Sequence, residues 1–132
     1  MSTIAEISEK FDLTPDTLRY YERIGLIPRV NRNKSGIRDY TEEDCKWIEF
    51  IKCMRLAGLP VEALIEYVGL FQQGEETNQA RKDLLIDQRN LLKLRIEEMT
   101  KTLERLDDKI DRYEQAFVAK EKELKLPENE LA

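Results

Sequence analysis

The chain has no histidine, only two cysteines (Cys45 and Cys53), and only five glycines and four prolines in 132 residues. Without histidine there is no imidazole to act as general base and most zinc constellations cannot form. Two cysteines do not make a disulfide framework, and in a reducing compartment both are expected as thiols. No uninterrupted apolar run approaches the length a bilayer requires, so no membrane partner is expected. The opening MSTIAEISEKF shows neither the basic nor the apolar region of a secretory leader, which argues for a cytoplasmic protein. There is also no glycine-rich phosphate loop and no paired-carboxylate motif, so the reading is not an enzyme, with no cofactor and no metal.

Charge is plentiful instead. Charged residues make up 37% of the chain and the net charge is −5, an awkward balance for a partner that is itself a polyanion. The distribution changes this picture. Residues 19–38 carry Arg19, Arg23, Arg29, Arg32, Lys34 and Arg38 against Glu22 alone, while the acidic excess lies beyond residue 60. A basic stretch on an acidic chain is an electrostatic footprint for nucleic acid, although such a run is more often a solvated face.

Local signals divide the first half into short elements. Ile4, Ile7 and Phe11 recur at helical spacing, with Ser2 or Thr3 available as a cap. Thr14-Pro15 opens a second helix, since a hydroxyl suits the cap and proline the first turn, and Gly25 closes it. Two short helices joined by a brief turn predict a helix-turn-helix. Leu26 to Arg29 is extended because the residue before Pro28 avoids helix. The turn-rich stretch 31–36 and a short strand over 37–40 make a small hairpin, or wing. Thr41-Glu42-Glu43-Asp44 caps a third helix carrying Trp47, Ile48, Phe50, Ile51, Met54 and Leu56. It is broken at 57–60. A fourth helix, about 61–73, is expected to bury Leu64, Ile65, Val68 and Phe71.

From Thr77 to Glu123 there is neither glycine nor proline, which permits one long helix. Leu92, Ile96, Met99, Leu103, Leu106, Ile110, Tyr113 and Phe117 follow one another at alternating steps of four and three. That is a heptad seam, and it predicts a coiled coil joining two copies as a homodimer. The fold class is mainly α: a winged helix-turn-helix head plus a long C-terminal dimerisation helix. The expected divisions are a DNA-binding head with linker helix over 1–74, a dimerisation helix over 75–124 and a flexible tail over 125–132.

A helix-turn-helix presents the start of its second helix to the major groove, where Arg19 can fork onto a guanine edge or a phosphate and tyrosine hydroxyls can position phosphates. Tyr20 and Tyr21 cannot both face the same side, so one of them belongs to the core. The run Thr17 to Pro28, TLRYYERIGLIP, with Gly36, Arg38 and Tyr40 in step and Ala57-Gly58-Leu59 following, resembles the MerR family over roughly residues 3–72. Pro60 stands where a serine is common. The resemblance implies an antiparallel coiled-coil dimer on double-stranded promoter DNA. It also implies regulation by bending and untwisting an over-long promoter spacer so that RNA polymerase can engage. On it, Arg19, Tyr20, Arg38 and Tyr40 match DNA-contacting places, with Thr14, Asn33 and Lys34 as further candidates.

The resemblance also bears on sensing. Soft-metal members carry cysteines at and after the start of the long helix, which this chain does not, and the few residues after Phe117 are too few for a drug-binding domain. Cys53 in FIKCMRLAG resembles the AdhR/NmlR-like subgroup of thiol- and aldehyde-responsive regulators. Lys52 and Arg55 flank it, and neighbouring positive charge promotes thiol reactivity. An adduct in a packed site there would strain the junction near Gly58. Against this, a free cysteine on a packed helix is usually a small hydrophobe. Cys45 is a second candidate, about 80° and about 12 Å away along an ideal helix, too far to pair with Cys53. The alternatives are a non-covalent small-molecule inducer, or a coiled-coil adaptor whose head binds protein.

Overall fold

The computed structural model describes residues 1–122 in full and the backbone of 123–131; the tail expected over 125–132 lies outside the fully described residues. Five helices follow one another: α1 Ile4–Phe11, α2 Pro15–Ile24, α3 Glu42–Leu56, α4 Val61–Gln73 and α5 Asn78–Leu131, with a single 3-10 turn, Glu75–Thr77, before α5. Met1–Leu92 form one compact unit and Lys93–Ala132 a second.

The starts of the first three helices are written in their caps. Thr3 accepts from the Glu6 amide while the Glu6 carboxylate accepts from the Thr3 amide, a reciprocal box that satisfies two orphan donors. Thr14 accepts from the Thr17 amide at 3.1 Å and Pro15 takes the first helical position, where no amide hydrogen is required. Thr41 and Asp44 repeat the box of Thr3 and Glu6 at the head of α3. Helix α2 ends on Gly25 at φ +86°, a left-handed conformation in which a side chain would be strained.

Periodicity then selects the core. Ile7 of α1, Leu18 and Tyr21 of α2, Ile48 and Ile51 of α3 and Leu64 of α4 are buried together with Leu26, Ile27, Val30, Tyr40 and Leu59 from the connections. Burial of each large apolar side chain contributes about 1.5–3 kcal/mol, enough to hold short helices that would not persist alone.

Two expectations, a strand over 37–40 and the burial of Phe71, need correction. Residues 37–40 form no strand: the hairpin is closed by one isolated bridge, Arg32 with Arg38, and a second bridge joins Tyr40 to Ser2. The two residues of that second bridge exchange both amide bonds, at 2.9 and 2.8 Å, so the wing is tied to the N-terminus rather than extended into a ladder. Leu56 is 80% exposed because it lies past the last buried turn of α3. Phe71 is 41% exposed; it packs edge-on against Trp47 at 5.0 Å, under the Arg81 guanidinium, in an aromatic group with Phe50 and Tyr67 at the surface of the head.

Helix α5 starts after Thr77, whose buried hydroxyl lies 2.7 Å from both the Leu70 and Gly74 carbonyls and ties the turn to the end of α4. Along the seam, Ile96, Met99, Leu103, Leu106, Ile110, Tyr113 and Phe117 are each more than half exposed. No helix among the described residues is long and apolar enough to cross a membrane.

Candidate nucleic-acid interface

The head exposes its cations on α2 and on the wing. Leu18 and Tyr21 turn inwards, which leaves Arg19, Tyr20 and Arg23 on the outer face. Arg19 is held by Asp16 one turn earlier at 2.9 Å, and both side chains are well exposed. Such a pair is worth about 0–1 kcal/mol in water and releases readily to a stronger acceptor. Tyr20 is 42% exposed, with the Arg23 guanidinium 5.5 Å from its ring centre. The sequence left open which tyrosine is core; the structure assigns Tyr21 to the core and Tyr20 to the surface. Burial pushes the Tyr21 phenol above its usual range, partly offset by Arg55.

The other expected residues fall into different roles. The Thr14 hydroxyl caps α2 and bonds Thr17 at 2.8 Å. Asn33 is the organiser of the wing tip: its side-chain oxygen accepts from the Ser35 and Ile37 amides at 2.9 and 3.1 Å. Gly36, at φ +78°, completes the turn. Lys34 is exposed at the tip, and Arg32 braces it by donating to the Gly36 carbonyl at 2.7 Å.

Arg38 and Tyr40 depart from the expected contact roles. Arg38 donates through Nε to Glu22 at 2.7 Å and its side chain is largely covered. Tyr40 is 1% exposed, and its hydroxyl is buried without a hydrogen-bond partner. Its ring supports the wing from the core side, so the hydroxyl is not presented to a phosphate. Burial raises this phenol above its usual range. Glu22, which also accepts from the Val30 amide at 3.1 Å, is the residue at this junction that sequence reasoning passed over. The available signal was its being the single acid in the basic stretch.

Cys53 was expected in a packed site and is not. Cys53 is exposed, on the side of α3 away from Ile48 and Ile51. An adduct there meets no packed surroundings within the head. The flanking cations are engaged elsewhere: Lys52 donates to the Phe11 carbonyl and Arg55 to the Leu59 carbonyl. Cys45 is half-buried, packed against the core, and lines an open groove of about 610 Å³ with Lys10, Lys46 and Lys52.

A capped two-helix turn, a pinned basic hairpin and a linker helix are the elements of a winged helix-turn-helix. The model of the MerR helix-turn-helix family of regulatory proteins matches residues 2–69, and the MerR DNA-binding model matches residues 46–109. The chain belongs to the MerR family. It is 64% identical over 89 residues to the transcriptional regulator AdhR of Bacillus subtilis, covering 67% of this chain and 64% of AdhR. The crystal structure of a Listeria monocytogenes chain described as a MerR-family transcriptional regulator superposes with a TM-score of 0.93 at 49% identity, covering both chains completely. HiNmlR, a MerR-family regulator lacking the sensor domain and solved bound to promoter DNA, superposes with a TM-score of 0.79 at 29% identity, over 86% of this chain and 90% of that one.

Proposed function

We propose that this MerR-family chain is a dimeric, sequence-specific transcriptional regulator. Residues 1–74 bind double-stranded promoter DNA, and residues 75–124 pair two copies. The observation that carries the reading is the exposure of Arg19 and Tyr20 on the outer face of α2 and of Arg32 and Lys34 at the wing tip, on a wing bonded to α2 through Glu22. Helix N-terminal residues read base edges and the wing neutralises phosphates. Two heads held at fixed spacing by a helix pair deform the spacer DNA between half-sites, and that distortion is how RNA polymerase is admitted. The DNA-bound state of HiNmlR supports this assignment.

The test is affinity for duplex DNA across a salt series. Arg19→Ala is expected to lose about 1–3 kcal/mol per half-site and to relax specificity there. Lys34→Ala is expected to weaken all duplexes evenly and to reduce the salt slope by about one. Equal binding by wild type and Arg19→Ala would remove α2 as the reader.

For sensing, the proposal remains a thiol that takes up an aldehyde or other electrophile, with Cys53 first because its sulfur is accessible. Since Cys53 is not packed within the head, its adduct acts by altering what this surface of α3 meets in the assembled regulator. Cys45 is a second reading, favoured by its half-buried place against the core, where added volume strains α3. Intact-mass analysis after aldehyde exposure, coupled to transcription by Cys53→Ser and Cys45→Ser variants, separates the two. A response that survives both substitutions leaves a non-covalent inducer.

A further inference from the structure

Glu22 lies on α2, yet both of its carboxylate oxygens serve the wing. Oε2 accepts from the Val30 amide at 3.1 Å, where the chain leaves the core to enter the hairpin. Oε1 accepts from Arg38 Nε at 2.7 Å, where the chain returns. The Glu22 side chain is only 10% exposed. The hairpin it spans has a single internal bridge, Arg32 with Arg38, and an isolated hairpin is marginal in water. Its further attachments are the bridge between Tyr40 and Ser2 and the burial of Val30 and Tyr40 in the core. One side chain of the reading helix therefore holds both arms of the wing.

We propose that Glu22 is a positioning residue for DNA recognition: it locks the wing to α2 so that helix and hairpin meet the duplex as one body, and it withdraws Arg38 from phosphate neutralisation. The proposal rests on the DNA-binding reading above. A carboxylate suits the role in this pose: each of its oxygens takes one donor, Val30 N–H or Arg38 Nε–H, whereas glutamine in the same pose turns an amino group, which can only donate, towards one of them. Glu22→Gln therefore leaves one donor facing another in a nearly closed site. The same change deletes the lone negative charge from the basic stretch, which favours phosphate binding of any sequence.

These two consequences oppose each other, and that makes the role measurable. The probe is a duplex selected by the wild-type protein from a random pool, compared with a scrambled duplex of equal length. Glu22→Gln is expected to lower affinity for the selected duplex about tenfold, the order of one charge-assisted hydrogen bond, while the scrambled duplex binds as well as before or better. Without DNA, the Asn33 and Asp39 amides of the wing are expected to exchange hydrogen faster in the variant, with α1 and α3 unchanged. A parallel fall on both duplexes, or no change on either, overturns the proposal, as does unchanged wing exchange. A wild-type protein that shows no preference for any duplex defeats the DNA-binding reading instead, and the exchange experiment still decides the clamp. If Glu22→Gln does not fold, Arg38→Gln breaks the same ion pair from the other side while leaving the Val30 bond, and the same loss of selectivity is expected.

Discussion

The head and the long helix spend similar residues in opposite ways. Between Ile7 and Val68 the large apolar side chains close on one another and many are nearly inaccessible. From Ile96 to Phe117 they form an equally regular pattern, yet every one is more than half exposed. Both patterns obey helical spacing. The head has several short helices pointing at a common centre, so one copy satisfies its own apolar surface. The helix offers a single exposed stripe, and a stripe of that length calls for a second stripe. The lesson is that periodicity names the face of a helix that seeks a partner, while the number of elements available decides whether the partner is internal.

The sharpest way to break this comparison is a charge in the stripe. Leu103→Asp places an ion in the seam of both copies of a dimer, each costing roughly 3–5 kcal/mol when buried without a partner. Sedimentation is expected to show monomer, or chain unfolded along α5. A variant that sediments like wild type would mean that the stripe is not the interface.

The matching change in the head is Ile48→Ala, at a fully buried site of α3. It is expected to cost about 2–5 kcal/mol of unfolding free energy, read by denaturant titration. Because the head closes on itself, this loss should be the same at low and high protein concentration, whereas the stability of α5 should rise with concentration. Equal concentration dependence in both regions would dissolve the distinction.

Smaller effects probe how the head is assembled. Thr41→Ala removes the hydroxyl that accepts from the Asp44 amide. A loss of about 1 kcal/mol in the stability of the head is expected, read as a lowered thermal midpoint, with dimerisation untouched. The smallest effect is on pH. The Glu6 carboxyl is held below its ordinary value chiefly by the Thr3 amide bond and then by the Thr3 hydroxyl. A depressed folded value means that the stabilisation is complete above the ordinary glutamate range and is lost as pH falls through the folded value. Glu6 is exposed, so the effect is confined to fraying of α1. It should appear as an acid-dependent loss of amide protection in the first turn that is absent in Glu6→Gln.

Much of the head was legible because its signals are local. Thr3, Thr14 and Thr41 cap within three residues of themselves, and Gly25 stops α2 by its own backbone freedom. What was not legible depended on distance in sequence. Tyr40 was expected at the DNA on the family resemblance alone. It is buried because the wing folds back over the core, a consequence of its pairing with Ser2, 38 positions earlier. Phe71 was expected inside with its helix; whether the end of a helix is covered depends on its neighbours, and spacing alone carries no information about them. The strand at 37–40 failed for a related reason, because a hairpin arm needs a long opposite arm to form a ladder and this wing pairs internally at one point.

The sequence by itself determined where the first four helices begin and end, which faces are apolar, that the basic residues cluster in 19–38, and that α5 carries a seam. Each of these is set by interactions among residues a few positions apart. Tertiary structure alone decided that Tyr21 is core while Tyr20 faces out, that Cys53 is exposed while Cys45 is half-buried, and that Glu22 clamps Val30 and Arg38. Those outcomes depend on which surfaces close over a side chain. They are settled by contacts between segments brought together only when the core forms, where burial rewards one arrangement of the same residues over another.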